Sequence, residues 1–331
     1  MRVGQNPAKS IKEVFRPEKV TVAVVTCIPF LGGYYAESLE VLKTCLSSLW
    51  GNTDMPYDLL VFDNASSQEV RSYLVDAQCG GRIQYLVLSD NNVGKGGAWN
   101  FIFSAAPGEY IAYADSDIYF YPGWLSTQIK VLDRFPNVGM VTGMPLWSPE
   151  EFSTSTIEWA QKSPEVRLER GKYLSWEDYW RHSRSLGRDE QQARASFHSR
   201  QDYCVVNGEQ RFFVGAGHFQ FVAKRAVLQE VLPIPTDRPM GQVRSLDIAL
   251  NQRGYLRLST SDWWVQHLGN TLTSFDGLDG PRSGDLDDHT GGRLSTTEEL
   301  SATSGTLWNW GPARKLLIWF YDKAFEILYH N

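Results

Sequence analysis

The chain has 331 residues, 42 % hydrophobic and 21 % charged, with a formal net charge of −6; this is an ordinary globular composition, and the length suits one large domain with insertions or two smaller ones. The acidic balance and the lack of any basic run exclude a phosphate-tracking nucleic-acid face. No run of about 18 apolar residues suits a bilayer span, and the opening MRVGQNPAKSIKEVFRPEKV has no apolar segment of signal-peptide length.

In chain order, KVTVAVVTCIPF is a continuous apolar, β-branched run and predicts a strand buried on both faces. Leu39, Leu42, Leu46 and Leu49 then fall at helical spacing, with Gly51 as a natural stop. YDLLVFDNASS predicts a second strand ending at Asp63, followed by a short helix capped by Ser66 or Ser67. RIQYLVLS predicts a third strand, NNVGKGGAWNFIFSAA a Gly-rich turn entering a helix, and EYIAYAD a fourth strand. GWLSTQIKVLDRF predicts a helix and VGMVTG a fifth strand. Strand and helix thus alternate from about Val20 to Gly143, which predicts a parallel α/β sheet with ligands beyond the carboxyl ends of its strands.

Residues 150–205 change character. The polar, Trp-containing run SWEDYWRHSRSLGRDEQQARASFHS predicts a helical insertion, suited to an acceptor wall. RFFVGAGHFQFVAKRAVLQEV predicts a strand leading into a helix, and SLDIALNQRGYLRLS a helix closed near Gly254 and then a strand. The Gly-, Ser-, Thr- and Asp-rich residues 271–306 predict a mobile loop or lid. Residues 307–331 predict a helix with Pro312 near its start, whose apolar face would pack on its own domain, on a membrane surface or on a second copy. The expected organisation is an arm (1–19), a first α/β half (20–145), a second half (146–270), the loop and the terminal helix. The four cysteines, Cys27, Cys45, Cys79 and Cys204, form no CxxC pair; free thiols in a reducing cytoplasm are the simplest reading.

The chemistry gathers at ADSDIYF, where Asp115 and Asp117 follow the fourth strand. Carboxylates at i and i+2 of a strand point the same way and repel unless a cation lies between them. A divalent ion such as Mg²⁺ or Mn²⁺ would resolve this and meet substrate phosphates as well. The plainer reading is a polar turn with Asp capping backbone groups; the position after a central strand, with Asp63 ending another, favours the metal.

VVTCIPF, LLVFDNASS, NNVGKGGAWN, EYIAYADSDIYFYPGWL and VQHLGN, in this order, resemble a family 2 glycosyltransferase of the GT-A fold, specifically over residues 20–143 and more loosely over 210–270. The resemblance implies a Rossmann-like, mostly parallel α/β sheet flanked by helices, a nucleotide-sugar donor (UDP- or GDP-linked), a divalent metal and an inverting transfer to an acceptor hydroxyl. The acceptor would be a glycan, a lipid-linked molecule or a small molecule, and the setting cytoplasmic or peripheral to a membrane. It places Thr26, Cys27 and Pro29 beside the nucleotide and Asp63 at the base or ribose. Asn92, Gly94 and Lys95 would line the donor pocket, with Ser116 between the DxD carboxylates. Asp117 is the better direct metal ligand and Asp115 the better ribose or water-bridged contact, with His267 as a further ligand. NVGKGG is not a phosphate-binding P-loop, because Gly96 follows Lys95.

An inverting transfer also needs a base. The matching stretch VRSLDIALNQRGY carries one carboxylate, Asp247, where the family usually shows two or three acids; His218 in GAGHFQF is a second candidate. Two other readings stand beside this one. A sugar-phosphate nucleotidyltransferase would want Lys or Arg directly after the first strand, where CIPFLGGYYAES has neither. A non-catalytic carbohydrate- or nucleotide-binding module would fit the missing partner acids.

Overall fold

The computed structural model describes residues 3–238, 243–273 and 275. The expected terminal helix and nearly all of the expected loop 271–306 lie outside them.

The strands are β1 (Val20–Thr26), β2 (Asp58–Asn64), β3 (Tyr85–Ser89), β4 (Tyr110–Asp115), β5 (Ile118–Phe120), β6 (Val138–Thr142), β7 (Arg167–Gly171), β8 (Asp202–Asn207), β9 (Gln210–Val214), β10 (Gln220–Lys224), β11 (Leu256–Thr260) and β12 (Val265–His267). The helices are α1 (Ser38–Asn52), α2 (Gln68–Cys79), α3 (Gly94–Ala105), α4 (Trp124–Arg134), α5 (Thr154–Lys162), α6 (Trp176–Ser185), α7 (Glu190–Ser199), α8 (Arg225–Gln229) and α9 (Arg244–Gln252). Ten strands form one sheet in the order β3-β2-β1-β4-β10-β6-β11-β9-β8-β7, and β12 pairs with β5 in a separate ribbon. Most strands of the large sheet run one way; β10, β9 and β7 run against them. This is the predicted α/β class.

Every residue of β1 is buried. Its alternate side chains feed two cores, as the strand period requires. Val20, Val22 and Val24 pack with apolar residues of α1, α2 and α4 on one face; Ala23 and Val25 pack with α3, α8 and α9 on the other. Each such valine contributes roughly 1.5–3 kcal/mol by leaving water. The cores leave the strand carboxyl ends to polar chemistry.

Three local expectations change. Helix α1 does not stop at Gly51 but runs to Asn52, where the Thr53 hydroxyl donates to the Leu49 carbonyl at 2.6 Å. The segment read as one strand through GAGHFQF is two, β9 and β10, broken at Gly215. Gly215 has φ of +115°, and a Cβ there would lie 2.3 Å from Ser148 Cβ. The break leaves Gly217 and His218 on the turn that enters the central strand β10. Within 150–205, α6 and α7 occupy the stretch read as helical, but strands β7 and β8 flank them and extend the sheet.

The four cysteines are free. Among the described residues no helix is long and apolar enough to cross a membrane.

Candidate active site

Strand β4 ends at Asp115, and a two-residue turn carries Ser116 and Asp117 into β5. The two carboxylates are therefore not on one straight strand, and they meet different partners. Asp115 is anchored: the Tyr113 hydroxyl donates to Oδ1 at 2.5 Å and Lys95 Nζ to Oδ2 at 2.7 Å. Burial, then the Asp115 charge, holds the Tyr113 phenol well above its ordinary value, so it remains a donor. The Lys95 ammonium also lies 5.4 Å from the centre of the Trp99 ring.

Asp117 is placed by the β5–β12 ribbon. His267 pairs in register with Ile118, and the Leu268 amide donates to the Asp117 carbonyl at 2.8 Å. His267 Nε2 thereby sits 3.3 Å from Asp117 Oδ2. Its other nitrogen, Nδ1, is 2.9 Å from the Ser185 hydroxyl of α6, which fixes the ring. Asp117 Oδ1 is out of solvent and has no hydrogen-bond partner. Burial raises the pKa of Asp117, with His267 opposing and Asp115 adding to the rise.

An orphaned carboxylate oxygen beside an oriented imidazole is the donor set that a divalent cation takes. Asp117 and His267 fit such an ion; both Asp115 oxygens already accept hydrogen bonds, from Tyr113 and Lys95. Among the described residues no group of three or more His, Cys, Asp or Glu side chains is arranged around a metal. Two protein ligands are compatible with Mg²⁺ or Mn²⁺, which usually keep waters and bind substrate phosphates.

The DSD turn floors a cleft that gathers Cys27, Asn92, Lys95, Asp115, Ser116 and Asp117, as the sequence expects. Asn64 joins them: its Oδ1 accepts from the Val93 amide at 2.8 Å and its Nδ2 donates to Asn92 Oδ1 at 2.9 Å, clipping the end of β2 to the start of α3. Tyr34 and Asn270 complete the walls, with Asn270 Nδ2 donating to the Tyr34 carbonyl. No periodicity marks Tyr34, Asn64 or Asn270, which lie far apart in the chain. The Cys27 thiol is pushed up to about 11 by burial and the Asp63 charge, so it is a neutral wall rather than a nucleophile.

Five expected residues do not line this cleft: His267, which touches Asp117 but is not in the cleft wall, and Thr26, Pro29, Asp63 and Gly94. Thr26 is buried in β1, and Pro29 lies beyond the strand end without reaching the cleft wall. Both Asp63 oxygens turn to the Ser66 amide (3.2 and 3.3 Å), and Oδ2 also accepts from Arg71 Nε (3.1 Å). This is the capping use of a carboxylate in DNASS. Gly94 has φ of +70° and is buried. Its neighbour Gly96 has a packing reason as well: a Cβ there would lie 2.5 Å from the Pro235 carbonyl.

A second cavity adjoins through the β10 turn. Trp147, Tyr179 and Ser183 line it with His218, Phe219 and Asp247. Asp247, in the first turn of α9, is completely buried. Its Oδ1 lies 2.6 Å from the Arg257 guanidinium and its Oδ2 2.6 Å from His218 Nε2. The Phe219 carbonyl accepts from the Asp115 amide at 2.7 Å, so the two depressions share a seam.

Residues 33–191 match the family model described as Glycosyl transferase family 2. No curated protein matches the chain. Three solved structures are similar. The mannosyltransferase PcManGT from Pyrobaculum calidifontis, in complex with GDP-Man and Mn²⁺, is 19 % identical with a TM-score of 0.44. S. aureus TarS 1-349 is 13 % identical with a TM-score of 0.42. GalNAc-T7 with UDP, GalNAc and Mn²⁺ is 11 % identical with a TM-score of 0.45. They align with 74 %, 73 % and 73 % of this chain, which spans 55 %, 57 % and 41 % of theirs.

Proposed function

We propose, from a chain whose residues 33–191 match the glycosyl transferase family 2 model, that this protein moves a glycosyl group from a UDP- or GDP-linked sugar to an acceptor hydroxyl, with inversion. The observation that carries the reading is the orphaned carboxylate of Asp117, which lines the DSD cleft, with an oriented His267 beside it.

Asp117 and His267 would hold Mn²⁺ or Mg²⁺. The ion would offset diphosphate charge and stabilise the leaving group. Lys95, held by Asp115, presents a second positive charge where the phosphates would lie. Tyr113 keeps Asp115, and through it Lys95, in one orientation. Ser116, Asn92 and Cys27 give the nucleotide a polar, uncharged wall. Thr26 and Asp63 pair in register at the ends of β1 and β2, and the Gly94 amide donates to Asn92 Oδ1. The second cavity, with Trp147 and Tyr179 for an apolar sugar or lipid face, would take the acceptor, and the contacting pair His218 and Asp247 lies in its wall, where the acceptor hydroxyl would lose its proton.

The test is a thermal-shift panel of nucleoside diphosphates with and without Mn²⁺. Binding at a hundredfold excess over Kd stabilises the native state by about 2.7 kcal/mol, a rise of a few degrees in Tm for a domain of this size. A rise with UDP or GDP that needs Mn²⁺ is expected. Equal shifts with and without the metal, or none with any nucleotide, would contradict the reading.

A further inference from the structure

Asp247 stands where a base is expected, yet it does not meet the cavity as a free group. Its side chain is 1 % exposed, with Arg257 on one oxygen and His218 on the other. Arg257 is equally buried and donates to the Ala216 carbonyl, just before the turn that carries His218. The carboxylate is thus clamped between two partners. Although it lies in the cavity wall, almost none of its surface is open to a substrate hydroxyl, whereas His218 is partly exposed there.

The contact at 2.6 Å also sets the imidazole's tautomer. An ionised carboxylate only accepts, so Nε2 carries the hydrogen and donates to Asp247. In the neutral ring the lone pair then lies on Nδ1. That nitrogen has no hydrogen bond to the described residues and is not closed off from solvent. The His218 side chain is 18 % exposed and lines the second cavity. The next residue, Phe219, is bonded through its carbonyl to the Asp115 amide.

We infer that His218 is the group that takes the proton from the attacking hydroxyl, and that Asp247 is a positioning residue which holds its tautomer and offsets its charge. The inference rests on the glycosyl-transfer reading and assigns the step that reading leaves open. The acceptor oxygen bonds to the anomeric carbon as its O–H bond breaks, and the proton goes to His218 Nδ1. The bond from the anomeric carbon to the diphosphate oxygen breaks, and its electron pair leaves with the nucleoside diphosphate. The imidazolium is left beside the Asp247 carboxylate until it releases its proton to solvent. The arrangement repeats the logic of a carboxylate that orients a histidine base.

The charged groups around the ring are Asp247 and, more distantly, Arg257 and Lys95, with Arg244 4.0 Å from Asp247 on the cavity side. Burial holds His218 below its ordinary 6.5 despite the opposing Asp247 contact. The base form therefore dominates at neutral pH, and turnover falls as pH drops through the lowered value.

The test uses the full chain, Mn²⁺, and UDP-glucose and GDP-mannose as probes, reading nucleoside diphosphate release to water from about pH 5 to pH 8. His218→Gln and His218→Ala should lower turnover about 10²- to 10⁴-fold. The acid limb should vanish from the residual rate, and Mn²⁺-dependent UDP or GDP binding should be unchanged. Nitrogen-15 NMR of the histidines should show His218 with its hydrogen on Nε2, and Asp247→Asn should release that tautomer. His218→Gln turning over within threefold of wild type, a retained acid limb, or a hydrogen on Nδ1 would overturn the inference and leave the glycosyl-transfer reading standing. Wild type that neither binds nucleotide with Mn²⁺ nor releases it would overturn both. If wild type binds but does not turn over the probes, the NMR tautomer decides.

Discussion

Asp117→Asn should lower donor turnover by about 10²- to 10³-fold and leave the protein folded. The two halves of this result have one cause. Asp117 holds a carboxylate oxygen out of solvent with no hydrogen bond, against a histidine ring fixed from behind by Ser185. Without a cation that is a cost to the fold, because a desolvated charged group has lost its water and gained no full partner. The amide keeps the shape and removes the charge. In metal-free buffer the Tm of the variant should therefore equal that of wild type or exceed it. Adding Mn²⁺ and nucleotide should raise the Tm of wild type and not that of the variant. Calorimetry and a turnover assay on the same preparations check both halves. Turnover within threefold of wild type, with or without Mn²⁺, would remove the metal role from Asp117.

Asp202→Ala should be strongly destabilising, costing about 3–5 kcal/mol. Asp202 and Arg200 are each 1 % exposed at the side chain and meet at 2.9 Å. Asp202 Oδ2 also accepts from the Tyr173 and Leu174 amides at 2.7 and 2.8 Å, and Arg200 donates to the Leu174 carbonyl at 2.7 Å. This cluster ties β8 to the loop that enters α6. Alanine would leave a buried guanidinium without its counter-charge and the Tyr173 and Leu174 amides without their acceptor, the circumstance in which a lost ion pair costs most. Leu174 also lines the second cavity, so acceptor KM should rise while Mn²⁺-dependent nucleotide binding survives. Chemical denaturation of Asp202→Ala beside Asp202→Asn measures the loss. A variant within 1 kcal/mol of wild type would contradict it.

Much of the first half is written in periodicity. A run like VTVAVVT can only be a strand with both faces covered, and β1 is buried from end to end. The DSD turn was legible from its position at the end of a central strand and Lys95 through the family resemblance, and the cleft does gather Asp115, Asp117 and Lys95. What the sequence hides is pairing between distant segments. Strands β5 and β12 have three residues each, too short for any pattern, yet their ribbon is what brings His267 to Asp117. The family resemblance placed Asp63 at the nucleotide; the fold turns its oxygens to Ser66 and Arg71. Likewise Asp247 looked like a free base, and no spacing reveals that Arg257 and His218 enclose it. The glycine run after Asn92 suggested a ligand cradle, whereas at Gly96 the constraint is the Pro235 carbonyl.

The most direct measurement is diffraction from crystals grown with Mn²⁺ and UDP or GDP, collected at the manganese absorption edge. An anomalous peak should lie within about 2.5 Å of an Asp117 oxygen and of His267 Nε2, with the diphosphate on its open side next to Lys95. A peak elsewhere, or a diphosphate bound away from the DSD turn, would contradict the account.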